Sequence, residues 1–160
     1  MPENSPKIGS KAPTFKLPDA EGKVHDMSSY FGKSPVVIYF YPKADTPGCT
    51  KEACGFRDAI ASYKNLGVPV FGISPDPVAD VKAFSDKFKL NFPLLADADH
   101  KVTELYGCWV EKQMGTTKYM GAARTTFIIN RNGDVAHIFE KVNAEGHDQE
   151  VLAWLKASKA

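Results

Sequence analysis

VVIYFYPKADTPGCTKEACGFRD, residues 36 to 58, is the stretch whose reading decides the fold. Its first six residues, Val36 to Tyr41, are continuously apolar and rich in β-branched and aromatic side chains, the pattern of a central strand covered on both faces. Pro42 ends it. From Thr46 onward the signals are those of a helix. Asp45 or Thr46 suits the cap, Pro47 suits the first helical position, and Ala53, Phe56, Ile60 and Tyr63 recur at spacings of three and four. Gly67 closes that helix.

Downstream, VFGIS reads as the next strand and DPVADVKAFSDKF as a helix with Val78, Val81, Phe84 and Phe88 on one face. A short apolar piece, PLLA, and a helix from about Asp99 to Tyr106 complete a β, α, β, α, β, α order. TTFIIN and VAHIFE flank RNGD, whose Asn132-Gly133 pair favours the positive φ angles of a tight hairpin, so this part is expected to be antiparallel. A last helix, about His147 to Ala157, carries Val151, Leu152, Trp154 and Leu155 toward the core. Upstream, a polar irregular lead-in, Met1 to Lys11, precedes FKLPDAEGKVH, a small hairpin around the turn DAEG. The expected fold is α/β, a thioredoxin-like sandwich: a mixed β-sheet with helices on both faces and an N-terminal β-hairpin.

Composition bounds the function. A chain of 160 residues fits one compact domain, so residues 1–160 are expected to form a single unit without repeat or linker. The formal net charge is +1 and no basic run carries interleaved aromatics, which argues against nucleic acid as a partner. VVIYFY, the longest apolar run, is far too short to cross a bilayer, and MPENSPKIGSKAPTF holds no apolar stretch of signal-peptide type. A cytoplasmic protein is expected, with no membrane partner. Three cysteines are too few for a disulfide scaffold, so they read as thiols whose chemistry depends on their surroundings.

Two of the three lie in the deciding stretch. With Thr46 as cap, Pro47, Gly48 and Cys49 take the first three helical positions, where backbone N–H groups lack intrahelical partners and the helix dipole is positive. A thiolate is favoured there, which makes Cys49 a candidate nucleophile, and Gly48 removes bulk beside the sulfur. The Thr46 hydroxyl is placed to accept from a helix N–H or to bond a reacting oxygen.

Cys54 follows five positions later. In an α-helix that is a rotation of about 140° and a rise of about 7.5 Å, so the Cα atoms stand roughly 8 to 9 Å apart. A disulfide needs less than about 7 Å, so Cys49 and Cys54 can join only if the first turns of the helix unwind. The alternatives are that Cys49 is a small residue packed at a helix start and Cys54 an inert helical thiol. No second C-x-x-C or H-x-H cluster completes a zinc site with Cys49, Cys54 and Cys108.

KIGSKAPTFKLPD, VVIYFYPKADTPGCTKEACGFRD, VFGISPD, FPLLAD and RTTFIINRNGDV together resemble, block by block and in order, the peroxiredoxins of the Q type, also called bacterioferritin comigratory proteins. The most specific part is P-x-x-x-T-x-x-C, here Pro42, Thr46 and Cys49, joined to the distant Arg124. The resemblance implies that Cys49 is the peroxidatic cysteine, which attacks the O–O bond of a peroxide and becomes a sulfenic acid. It implies that Pro42 shields the sulfur, that Thr46 holds the peroxide oxygen, and that Arg124 stabilises the thiolate and polarises the substrate. As in the atypical two-cysteine members, Cys54 would resolve the sulfenic acid and thioredoxin or a similar dithiol reductant would reduce the disulfide. Hydrogen peroxide and alkyl hydroperoxides are the implied substrates, with no metal or organic cofactor and a monomer as the working form.

The physical case for these roles stands beside the resemblance. Cleaving a peroxide is a displacement at oxygen, which needs a thiolate, donors for the departing oxygen and a partly dry site. If TTFII runs antiparallel to VVIYFY, Arg124 begins its strand beside the end from which the Cys49 loop leaves; otherwise it is a surface cation. Cys108 before Trp109 departs from the family pattern and reads as a packed bystander, with a second resolving thiol or an intermolecular disulfide as the sharper alternative. Glu52 favours the helix N-terminal turn, with a possible second role in orienting active-site hydrogen bonds, as its place in the motif suggests. Asp97 and Asp99 read as helix caps. Two competing functions remain: a thioredoxin-like disulfide oxidoreductase, against which the missing C-x-x-C counts, and a non-catalytic redox sensor.

Overall fold

A computed structural model describes residues 5–158, so the first four residues of the lead-in lie outside the described residues. The apolar run forms β3 (Val36–Phe40), with all five residues buried. It sits in the middle of a five-stranded sheet ordered β5-β4-β3-β8-β9, where β4 is Val70–Ser74, β5 Leu94–Ala96, β8 Thr125–Ile129 and β9 Val135–Phe139. The pairs β3–β4 and β4–β5 are parallel, each joined through a helix, α1 (Pro47–Asn65) and α2 (Val78–Phe88); β8 and β9 add antiparallel. The sheet is mixed, as expected.

Alternation along β3 divides the core. Val37, Tyr39 and Tyr41 point into one cluster with α1, α2 and α4 (His147–Ser158); Val36, Ile38 and Phe40 point into the other, with Val102 and Tyr106 from the region of α3 (Lys101–Leu105). Both faces are thus covered, which is why β3 reads as a continuous apolar run. The N-terminal hairpin pairs β1 (Lys16–Pro18) with β2 (Val24–Asp26). Asp97 is buried and accepts from Thr103 N and Thr103 Oγ1, each at 2.7 Å, capping α3 as expected.

Three details differ from the sequence reading. In the turn after β8 only Gly133 takes a positive φ, +84°; Asn130 organises the loop by accepting from Asn132 N and Asp134 N through its side chain. Trp154 stops at the edge of the core: half-buried, it packs against the first cluster and stacks on His137. A second hairpin, β6 (Trp109–Met114) with β7 (Thr117–Ala122), stands as a separate two-stranded ribbon. Most of its side chains are exposed, Met114 to 71%, so it lacks the buried-face periodicity from which strands are recognised. No helix among the described residues is long and apolar enough to cross a membrane.

Candidate active site

The register of the sheet assembles the site. Phe40, the last residue of β3, pairs with Thr125, the first of β8. Arg124 therefore enters the sheet where the chain leaves β3 toward α1. The loop between them is anchored by Asp76, whose Oδ2 accepts from Ala44 N at 2.8 Å, and by the Lys87–Asp45 ion pair at 2.9 Å. Asp45 adopts a left-handed φ of 60°, turning the chain into the helix.

Thr46 is the cap residue of α1, but its side chain makes no capping bond. The hydroxyl instead donates to the Lys43 carbonyl at 3.0 Å, because the 43–46 turn brings that acceptor back over it. The first backbone bond of the helix runs from Thr50 N to Thr46 O, so the N–H groups of Gly48 and Cys49 have no intrahelical acceptor. Cys49 is 1% exposed and Cys54 partly exposed; both are free thiols within an unbroken helix, which keeps them apart as the spacing requires.

The Arg124 guanidinium forks between two acceptors. Nη2 donates to Cys49 Sγ at 3.2 Å and Nη1 to Glu52 Oε1 at 2.6 Å. Gly48 permits the approach: a Cβ there would lie 3.1 Å from Arg124 Nη2. Burial works against the Arg124 charge, but the Glu52 carboxylate and the sulfur outweigh it and draw the guanidinium above its ordinary value. Glu52 is 1% exposed, and burial pushes its carboxyl up to about 7 against the pull of Arg124. Only one of its oxygens is paired; Oε2 is buried without a hydrogen-bond partner.

The described residues contain no group of three or more His, Cys, Asp or Glu able to hold a metal ion. Cys108 is fully buried in the second core cluster, its sulfur 3.6 Å from the Tyr106 carbonyl, and burial pushes the thiol up to about 12. That is the environment of a packed bystander. Sequence reasoning thus brought Cys49, Thr46, Arg124 and Glu52 to one place, with Pro42 at the end of the strand that leads there. It missed Arg57, which lies one turn beyond Cys54 and within electrostatic reach of it, and Lys112 of the unrecognised ribbon, which lies within electrostatic reach of Arg124 and Cys49.

The profile of the AhpC/TSA family matches residues 8–138, from the lead-in through most of β9. The chain belongs to that family. Among its AhpC/TSA relatives, the putative peroxiredoxin bcp of Coxiella burnetii is 46% identical over 149 residues, 93% of this chain and 98% of that protein. Peroxiredoxin Bcp of Escherichia coli K12 is 43% identical over 153 residues, 96% of this chain and 97% of the relative. The solved structure of the Xanthomonas campestris bacterioferritin comigratory protein, studied for alkyl peroxide reduction, superposes with a TM-score of 0.88 at 32% identity, covering 96% of this chain and all of that one. Within AhpC/TSA, then, this chain is a peroxiredoxin of the Q/Bcp type with the thioredoxin-like fold.

Proposed function

We propose that the chain is a thiol peroxidase that reduces hydrogen peroxide and alkyl hydroperoxides through Cys49. The observation that carries this reading is the Arg124 guanidinium 3.2 Å from a nearly sealed sulfur at a helix N-terminus. Fixed positive charge and unpaired N–H groups face the negative charge that the reacting sulfur must carry, and exclusion of water strengthens both interactions. The alkyl peroxide reduction studied in the Xanthomonas campestris relative supports carrying the activity across.

In the first step the thiolate attacks the terminal oxygen of the hydroperoxide. The O–O bond breaks, its electron pair leaves on the other oxygen, and Cys49 becomes a sulfenic acid. Because the Thr46 proton is engaged with the Lys43 carbonyl, the hydroxyl's lone pairs are left to accept from the peroxide O–H. Pro42 shields the sulfur. In the second step the Cys54 thiolate attacks the sulfenic sulfur, hydroxide leaves as water, and a disulfide forms.

This second step requires α1 to unwind at its start, breaking the Arg124–Glu52 ion pair and withdrawing Cys49 and Ala53 from the core. Thioredoxin or a similar dithiol protein then reduces the disulfide. The thiols carry all the electrons, so the cycle calls on no metal or organic cofactor, and we infer that a monomer in the cytoplasm runs it.

Intact-mass analysis after one equivalent of hydrogen peroxide tests the cycle. The wild type should lose two hydrogens as a Cys49–Cys54 disulfide. Cys54→Ser should gain one oxygen and stall, and Cys49→Ser should not react. Full turnover by Cys49→Ser would rule the assignment out. Consumption that ends after one equivalent even with a dithiol reductant present would favour a sensor.

A further inference from the structure

Glu52 stands three positions after Cys49 and two before Cys54, inside the stretch of α1 that must lose its helical form before the two sulfurs can meet. Its side chain is 0% exposed and has one partner: Oε1 accepts from Arg124 Nη1 at 2.6 Å, while Oε2 is buried without a hydrogen-bond partner. The groups that face this carboxyl come from three elements. Arg124 reaches it from the head of β8, Cys49 shares the guanidinium with it from the first turn of α1, and Tyr39 and Tyr41, in and just after β3, lie within electrostatic reach. Burial holds both tyrosine hydroxyls neutral. Of these four groups Arg124 alone is cationic.

An ionised Glu52 leaves one charged oxygen unpaired in the interior, a cost that one guanidinium does not offset. A neutral carboxyl avoids it, because Oε1 still accepts from Arg124 while Oε2 carries the proton. Burial accordingly pushes the group up to about 7 against the pull of Arg124. Unwinding removes that constraint. Within residues 47–54 the other charged side chain is Lys51, which is exposed while the helix is wound, so its ammonium meets water in either form. Downstream the helix is held in place: Arg57 Nη1 donates to the Phe88 carbonyl at 2.7 Å and the Tyr63 hydroxyl to the Asp148 carbonyl at 2.7 Å. Glu52 is therefore the charged side chain of the opening stretch that passes from core to water.

We propose that Glu52 releases a proton when the Cys49–Cys54 disulfide closes and takes one back when it is reduced, so that the wound helix is tied to the carboxyl and the unwound one to the carboxylate. The inference rests on the reading of Cys49 and Cys54 as the peroxide-reducing and resolving thiols. On closure the Cys54 sulfur bonds the sulfenic sulfur, the S–O bond of Cys49 breaks, and the oxygen leaves as water with the thiol proton. The Glu52 carboxyl, freed from Arg124, gives its own proton to solvent. Reduction by a dithiol returns two electrons and two protons to the sulfurs, and rewinding draws a third proton from solvent onto Glu52. Acid therefore holds α1 wound, and a rise through neutrality favours the disulfide form. Glu52 touches no reacting atom in this step; it is a positioning residue that acts through the helix.

The test is the equilibrium between the protein and dithiothreitol from pH 5 to pH 7, read after acid quenching as the ratio of disulfide to dithiol protein by intact mass. Each couple gives up two thiol protons on oxidation, so these cancel and the Glu52 proton remains. Across that range the wild type should shift toward the disulfide about 40-fold more than Glu52→Gln. A side chain that only props up the packing would change the ratio equally at every pH. Hydrogen exchange of the reduced wild type gives a second reading that needs no variant. Corrected for the intrinsic rate, protection of the amides of residues 49–54 should fall as pH rises from 5 to 7. Equal pH dependence in wild type and Glu52→Gln, or protection that stays level, would overturn the assignment. A wild type that forms no Cys49–Cys54 disulfide at any pH would instead overturn the resolving role of Cys54, and this inference with it.

Discussion

Arg124 reaches to 3.2 Å from the Cys49 sulfur across 75 positions of sequence, and it does so because Thr125 and Phe40 are register partners. A one-residue slip in that pairing would send every β8 side chain to the opposite face and take Arg124 off the sulfur. The geometry of the candidate site is thus fixed by the same strand pairing that forms the core. Removing the guanidinium by Arg124→Met should lower the rate of Cys49 oxidation by about 100-fold to 1000-fold, the usual loss for one preorganised donor. Rapid-mixing kinetics with hydrogen peroxide measure this, and an unchanged rate would remove Arg124 from the mechanism.

Glu52 should make the protein less stable as pH rises. Its carboxyl stands at about 7 in the folded chain against an ordinary 4.5, so between those values the native state holds a proton that the unfolded state has lost. The contribution is therefore fully present below pH 4.5 and gone above pH 7. At about 1.4 kcal/mol per pKa unit it amounts to roughly 3 kcal/mol. Urea unfolding of Glu52→Gln should lack this decline between those limits, whereas wild type should show it. A decline of equal size in the variant would assign the effect elsewhere.

Gly48 is expected to matter through the guanidinium rather than the helix. A side chain at this position meets Arg124 Nη2, so Gly48→Val should displace the fork from the sulfur. Displacement of a positioned group by a fraction of an ångström to an ångström costs roughly 10-fold to 100-fold in rate. Circular dichroism should remain that of the wild type while Cys49 oxidation slows.

Cys108 should be silent. With its thiol pushed up to about 12 and its side chain fully buried, it should resist alkylation in the folded protein at neutral pH. Cys108→Ala should leave peroxide turnover unchanged and cost about 1 to 2 kcal/mol through the small cavity it opens. A disulfide involving Cys108 in the peroxide-treated wild type would contradict this.

Much of this was legible before any coordinates. The helix after Pro47 announces itself because burial imposes a period on its side chains, the strand at Val36 because burial on both faces makes it continuously apolar, and the hairpin around Gly133 through its turn residues. The capped helix start singles out Cys49, and the five-residue step to Cys54 already forbids a bridge in the wound helix. The ribbon from Trp109 to Ala122 was illegible for the complementary reason: with little to bury, it carries no period. Lys112 was lost with it. Glu52 read as a helix-start carboxylate with a second role among the active-site hydrogen bonds; that it is buried under its pair with Arg124 was not legible, because nothing local to the sequence says so. Long-range pairing, not propensity, made these assignments.

The burial of Cys49 has a further use. A maleimide is too bulky for the thiol of a residue only 1% exposed while α1 is wound, so it captures the sulfur only when the first turns fray. Its labelling rate relative to that of an open thiol then gives the opening free energy directly. The thiol would serve as a stopwatch on its own helix, timing the excursion on which the proposed disulfide closure depends.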